Sequence, residues 1–275
     1  MSDSELVRLW LGTKTSPDTR RAYQAEASRF LTFTGKPLAS ATLGDLQAFA
    51  EVLGQGSLQP ASQNRALTAI KSLLSFGHET GILPYNVGAA LKLRPVRNDL
   101  ARRILDEDSV ARLLGAAKGD RNCLILRLLY ASGVRVGEIC RLTWADAQPR
   151  KEGGQITVFG KGGKTRAVLL KPVLWDQLRT LRGNAAPSDP IFRSRKGGAL
   201  DPSQIRRIVY AAARRAGLEQ KVSPHWIRHA HASHALDRHA PIHLVQATLG
   251  HASISTTGRY LHARPEESSG LYLPD

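Results

Sequence analysis

Apolar residues in the first third of the chain recur every three or four positions, the period of a helix that buries one face. Tyr23, Ala27, Phe30 and Leu31 form one stripe, Leu46, Phe49 and Ala50 a second, and Leu67, Ile70, Leu73 and Leu74 a third. Polar residues mark the ends. Ser16-Pro17-Asp18 supplies a cap followed by proline at the first helical position, and Thr42 with Asp45 opens the next helix. The third helix runs from about Pro60 through Phe76 toward Gly77 and Gly81, and a short last one is expected from Leu83-Pro84-Tyr85-Asn86. Residues 1–92 therefore read as a small helical bundle. The periodicity is lost over residues 93–103, which are basic and contain Pro95, and this stretch reads as an interdomain linker.

Beyond the linker the period changes twice. Asp106 and Asp108 precede one helix and Asn122 to Ser132 forms a strongly apolar second. Two β-rich runs, Gln155 to Phe159 and Arg166 to Leu170, then flank a glycine-rich, lysine-bearing turn. Helices return from Leu174, with a short extended piece at Pro190 to Phe192, a basic loop from Arg193 to Gly198, and a helix from Ser203 to Gly217. The predicted fold is mainly α with a small antiparallel β-sheet: a helical domain over 1–92, a linker over 93–103 and an α+β domain over 104–275.

Composition narrows the function. With 275 residues, 42% of them hydrophobic, the chain can bury a real core, and no apolar run reaches the ~18 residues of a membrane span. The opening Met-Ser-Asp-Ser-Glu lacks the basic and apolar regions of a secretory signal, and Cys123 and Cys140 lack zinc-binding spacing, so both read as reduced core residues of a cytoplasmic protein. The net charge of +16 points to a polyanionic partner, nucleic acid before membrane. Residues 1–100 carry 11 basic and 8 acidic side chains, net +3, and residues 101–275 carry 28 and 15, net +13. The second part should therefore supply most of the phosphate contacts.

The chemistry concentrates between Ser223 and Tyr260. If a helix follows Pro224, then His225, Arg228 and His229 share one face, with His251 and Tyr260 downstream. Imidazoles, a guanidinium and a phenol suit a phosphate, offering donors, positive charge and an oxygen nucleophile. Arg135, in the connection after the apolar helix, needs a partner, a ligand or solvent for its charge, and Glu138 is one candidate partner. The Gly160-Lys161-Gly-Gly-Lys164 turn lacks the spacing and following helix of a phosphate-binding P-loop. The histidine tract from 225 to 243 has no acidic or cysteine ligand set and no H-E-x-x-H pattern, so neither a metal nor a cofactor is expected, and His231, His234, His239 and His243 read as structural or exposed.

Pro-His225-x-x-Arg228-His229, Leu-Gly-His251 and Tyr260 together resemble the tyrosine recombinases, the integrase family, and are most similar to its small Xer-type members. The segment Gly133-Val-Arg135-Val-Gly137-Glu138 resembles that family's first signature, with Gly137 where relatives commonly have Ser. The helical first part, with Ser16-Pro-Asp-Thr-Arg-Arg-Ala-Tyr23, resembles the family's core-binding domain. The resemblance implies a catalytic set of Arg135, Lys161, His225, Arg228, His251 and Tyr260, with His229 supportive and outside it. Arginines 135 and 228 would grip the scissile phosphate, His225 would be a possible acceptor of the Tyr260 proton, and Lys161 in the hairpin would protonate the leaving 5′-hydroxyl. The product would be a 3′-phosphotyrosyl enzyme, and strand exchange would pass through a Holliday junction held by four protomers on two duplexes, without metal or ATP.

Arg20, Arg21, Arg65, Lys71, Lys164, Arg166, Arg206 and Arg207 are the candidate DNA contacts, each also readable as a solvated surface charge. The length leaves room for these two domains and none for an arm-binding domain, and Leu271-Tyr272-Leu273 is expected to pack on a neighbouring protomer. Two alternatives stay open: a type IB topoisomerase-like relaxing enzyme, and a sequence-specific DNA-binding protein without recombination activity.

Overall fold

The structure, a computed structural model, describes residues 1–95, 100–160 and 163–261. The chain divides into two compact units, Met1–Arg97 and Asn98–Asp275. In the first, α1 (Asp3–Gly12), α2 (Pro17–Thr34), α3 (Leu43–Gln55) and α4 (Pro60–Glu79) pack around Trp10, Phe30, Phe49, Ile70 and Leu73, all essentially inaccessible to solvent. Their ends follow local chemistry. The Ser16 hydroxyl accepts from the Thr19 N–H, and Thr42 and Asp45 cap each other reciprocally. The helix expected from Leu83 is instead a run of turns, in which the N–H groups of Ile82 and Leu83 donate back to the Gly77 carbonyl. So few residues, with a proline among them, cannot offset the cost of helix nucleation.

The second unit is built on α6 (Asp120–Ser132), whose Leu124, Ile125, Leu126, Leu128 and Leu129 are buried. A helix this apolar needs cover on several sides, and it packs against α5 (Glu107–Gly115), α8 (Pro172–Arg182) and α10 (Pro224–Asp237). The sheet is antiparallel in the order β1 (Ala147–Pro149), β2 (Gly154–Phe159), β3 (Thr165–Leu170), with Val158 opposite Arg166. The hairpin β2–β3 is the expected one, while β1 is too short to leave a periodic signature. The short α7 (Val136–Ile139), then α9 (Pro202–Arg215), α11 (Ile242–Leu249) and α12 (Ile254–Gly258) complete the unit. Cys123 and Cys140 are half-buried free thiols, and burial pushes Cys140 up to about 11. No helix among the described residues is long and apolar enough to cross a membrane.

Candidate active site

Pro224 starts α10, and its first turns place His225, Arg228 and His229 on one face. Arg228 is only 4% exposed. Its guanidinium donates to two backbone carbonyls, Gly133 at the end of α6 and Leu249 at the end of α11, the latter at 2.7 Å. Both helices stop at a left-handed glycine, Gly133 (φ 59°) and Gly250 (φ 64°), so both leave terminal carbonyls without helical partners. The negative ends of two helix dipoles thus hold a buried cation. Burial, reinforced by the charge of Arg135, lowers the Arg228 pKa to about 10, and the side chain stays charged at neutral pH.

Arg135 stands at the start of α7. Its backbone N–H donates to the Glu138 carboxylate at 2.7 Å and its guanidinium approaches the same group at 3.0 Å and the Gly250 carbonyl at 3.4 Å. The expected Arg135–Glu138 pair therefore exists, but Glu138 is shared. Arg166 on β3 donates to it twice, at 2.7 and 3.1 Å, and to the Thr248 carbonyl at 2.7 Å. Burial pulls the Glu138 carboxyl upward, but its bonds to Arg166 and Arg135 prevail and leave it below the usual range. Two guanidiniums thus share one carboxylate, and a third, that of Arg228, lies within reach of its charge. The excess positive charge faces outward through Arg135, whose side chain is 37% exposed against 11% for Arg166. Arg166, expected along the DNA, is engaged by an internal ion pair and a backbone carbonyl.

Tyr260 follows α12, its N–H donating to the Thr257 carbonyl at 3.0 Å, and its ring is buried with Leu100, Ile104, Ala232, Val245 and Leu249. The imidazole that meets its hydroxyl is that of His229, with Nδ1 2.8 Å away. Sequence reasoning put His225 in that role and left His229 outside the set. The i, i+4 spacing shows that the two share a face, but only the path of α12 decides which one the phenol reaches. The His225 ring lies 6.2 Å from that of His229, and the His251 ring lies parallel to Tyr260 at 6.5 Å with Nδ1 2.9 Å from the Thr257 hydroxyl. Burial first, then neighbouring positive charge, lowers His225 and takes His229 and His251 to about 4. All three are neutral at pH 7. Burial raises the Tyr260 pKa above its ordinary value.

Five of the six expected residues thus converge: Arg135, His225, Arg228, His251 and Tyr260. Lys161 lies outside the described residues, as does the segment Leu271-Tyr272-Leu273. Lys164 is exposed beside the hairpin turn that the Gly160 N–H closes on its carbonyl at 2.8 Å, and Arg206 and Arg207 are exposed on α9. In the first unit Arg65 is exposed, Arg21 pairs with Asp18 at 2.7 Å, and Arg20 donates to the Lys14 carbonyl at 2.6 Å. Lys71, also expected as a DNA contact, is part-exposed, and its ammonium donates to the carbonyls of Ala89 and Leu91, which ties down the chain after α4. His231 and His234 bond the carbonyl and hydroxyl of Tyr130, at 2.7 and 2.9 Å, while His239 and His243 are exposed. Among the described residues no group of three His, Cys, Asp or Glu is placed to hold a metal ion.

A helical unit followed by an α-plus-β unit that gathers arginines and imidazoles around a tyrosine is the build of the tyrosine recombinases. Residues 103–267 match the phage integrase family and residues 6–80 match the phage integrase N-terminal SAM-like domain. The tyrosine recombinase XerC of Xanthomonas campestris pv. campestris (strain B100) is 30% identical over 277 residues, covering 97% of this chain and 85% of its own. The XerC of Corynebacterium efficiens is 33% identical, covering 90% and 81%. Among solved structures, XerA recombinase superposes with a TM-score of 0.54 at 29% identity, covering 98% of this chain and 94% of its own. A lambda integrase dimer bound to a COC′ core site shares the fold, with a TM-score of 0.77 at 18% identity and 98% of each chain covered. The chain belongs to the phage integrase family and is a Xer-like tyrosine recombinase, an enzyme of site-specific recombination.

Proposed function

We propose that this chain binds a core site in duplex DNA and cleaves and rejoins it through Tyr260. The observation that carries the reading is the grouping of Arg228 and His251 beside that tyrosine, with Arg135 at the neighbouring carboxylate and His225 next to the His229 ring, and with more guanidinium than carboxylate charge. A phosphodiester resists attack because its negative charge repels nucleophiles and an alkoxide leaves poorly. Arg135 and the remaining N–H groups of Arg228 hold the nonbridging oxygens and stabilise the charge that grows in the pentavalent transition state. His225 and His251, both neutral, add hydrogen bonds without adding charge. The phosphorus–O5′ bond breaks as the tyrosyl ester forms, and Lys161 protonates the departing oxygen. The 3′-phosphotyrosyl bond preserves the energy needed for rejoining, so no ATP is consumed.

The same reading assigns residues 1–92 to core-site binding, 93–103 to the linker and 104–275 to catalysis, with Arg20, Arg21, Arg65, Lys164, Arg206 and Arg207 on DNA phosphates. Four protomers on two duplexes exchange strands through a Holliday junction, and the enzyme works in the cytoplasm, on the nucleoid. Similarity to XerC supports this, as does the fold shared with a lambda integrase tetramer bound to a Holliday junction.

The test is a suicide substrate. Duplexes selected by the protein from a random pool are nicked beside the cleavage position, incubated with EDTA present, and run on a denaturing gel. A covalent band that disappears in Tyr260→Phe, with duplex binding retained, is the expected result. Binding without a band on every selected duplex overturns it in favour of a DNA-binding protein.

A further inference from the structure

The buried hydroxyl of Tyr260 needs an acceptor for its proton, and the imidazole beside it is not one of the six residues assigned to catalysis. On the strand-cleavage reading above, we infer that His229 takes the Tyr260 proton during cleavage and returns it during rejoining. His229 Nδ1 lies 2.8 Å from the tyrosyl oxygen, within the reach of direct transfer. Its ring is tilted against the Tyr260 ring with centroids 5.7 Å apart. Because His229 follows Arg228 directly in α10, one rigid turn fixes the proton acceptor and the phosphate holder relative to each other.

The groups that bear on His229 are His225, Arg103, Arg228 and Arg259. Burial first, and then the charge of the arginines, keeps the free imidazole neutral, and in the tautomer protonated at Nε2 its Nδ1 lone pair accepts from the phenol. The same field makes it a poor base until an anion enters. A bound phosphate offsets the arginines, and the acceptor gains basicity at the moment the nucleophile is in place. In the step itself the tyrosyl O–H bond breaks as the O–P bond forms, and the proton passes to Nδ1. The P–O5′ bond opens and its oxygen leaves with the proton that the cleavage reading assigns to Lys161. Rejoining reverses each transfer, and the imidazolium re-protonates the departing tyrosyl oxygen.

The experiment separates proton transfer from folding. His229→Asn and His229→Gln are assayed on the nicked duplexes selected above. In a Tyr260→Phe background the same substitutions are assayed on a strand ending in a 3′-p-nitrophenyl phosphate, which a 5′-hydroxyl displaces. That leaving phenol is acidic enough to depart unprotonated, so the reaction needs the phosphate cradle but no tyrosyl proton. The expected result is a fall of ~10²-fold or more in the rate of covalent complex formation, while nitrophenolate release keeps the rate of the Tyr260→Phe parent. Unchanged cleavage, or a parallel fall in both reactions, overturns the assignment. Failure of the wild-type protein to form any covalent complex overturns the cleavage reading itself, and this one with it.

Discussion

Helix α10 carries two phenol–imidazole pairs, and their surroundings differ more than their geometry. Tyr260 meets His229 at 2.8 Å and Tyr130 meets His234 at 2.9 Å. Around the first stand Arg228, Arg135 and a carboxylate already claimed by two arginines. Around the second, Glu107 and Arg238 pair with each other at 2.8 Å near the surface. A tyrosine bonded to a histidine is therefore not in itself a site. What distinguishes the first pair is uncompensated positive charge beside it, a receptor for an anion that the second pair lacks.

The sharpest way to break this comparison is to remove each phenol oxygen in turn. Tyr260→Phe should abolish the covalent complex, whereas Tyr130→Phe should leave cleavage intact and cost about 1 kcal/mol of stability through the lost hydrogen bond to His234. Comparable loss of cleavage in both would erase the distinction. Next come the carboxylates. Glu138→Ala strands Arg166 beside Arg135 in a buried position and should cost about 3–5 kcal/mol in urea unfolding, while Glu107→Ala, at an exposed pair, should cost ~0–1 kcal/mol. Gly133 links the two regions: a Cβ there would lie 2.7 Å from both His231 and Leu249 at a positive φ. Gly133→Ala should cost about 1–3 kcal/mol and, by shifting the carbonyl that holds Arg228, weaken cleavage more than duplex binding.

A further expected effect is on pH. His229 and His251 sit near 4 when folded, against an ordinary value of 6.5. The unfolded chain therefore takes up protons first as pH falls, so stability is complete above about 6.5 and declines from there toward about 4. Glu138 adds its own loss only at lower pH, because its carboxyl is held below 4.5. Urea midpoints should fall between pH 6.5 and 4.5, and the slope should flatten in a His229→Asn/His251→Asn double variant. An unaltered slope would show that other groups carry the acid sensitivity.

Much of the architecture was legible in the sequence, because helix stripes, caps and the β2–β3 hairpin are local signals. The grouping of Arg135, His225, Arg228, His251 and Tyr260 was expected only through the resemblance of their motifs to the family's. What escaped depends on partners distant in the chain. Arg166 looks like any hairpin arginine until Glu138 and Thr248, 28 and 82 positions away, are seen to hold it. Lys71 looks like a surface charge until the backbone 20 positions later folds over it. His229 could be placed on the right face, but its contact with Tyr260, 31 positions on, is set by the course of α11 and α12.

Arg228 owes its position to carbonyl oxygens, and these have no side chain to lose. No single substitution deletes the groups that orient it; only a change in where α6 or α11 ends can do so. Mutational robustness at this point is thus a property of the chain's path, and drift in the surrounding side chains leaves the grip on phosphate in place. The converse is a thermal liability. Local fraying at the end of α11 releases Arg228 while the rest of the unit remains folded, so the protein should lose its catalytic competence on heating before it loses its helices.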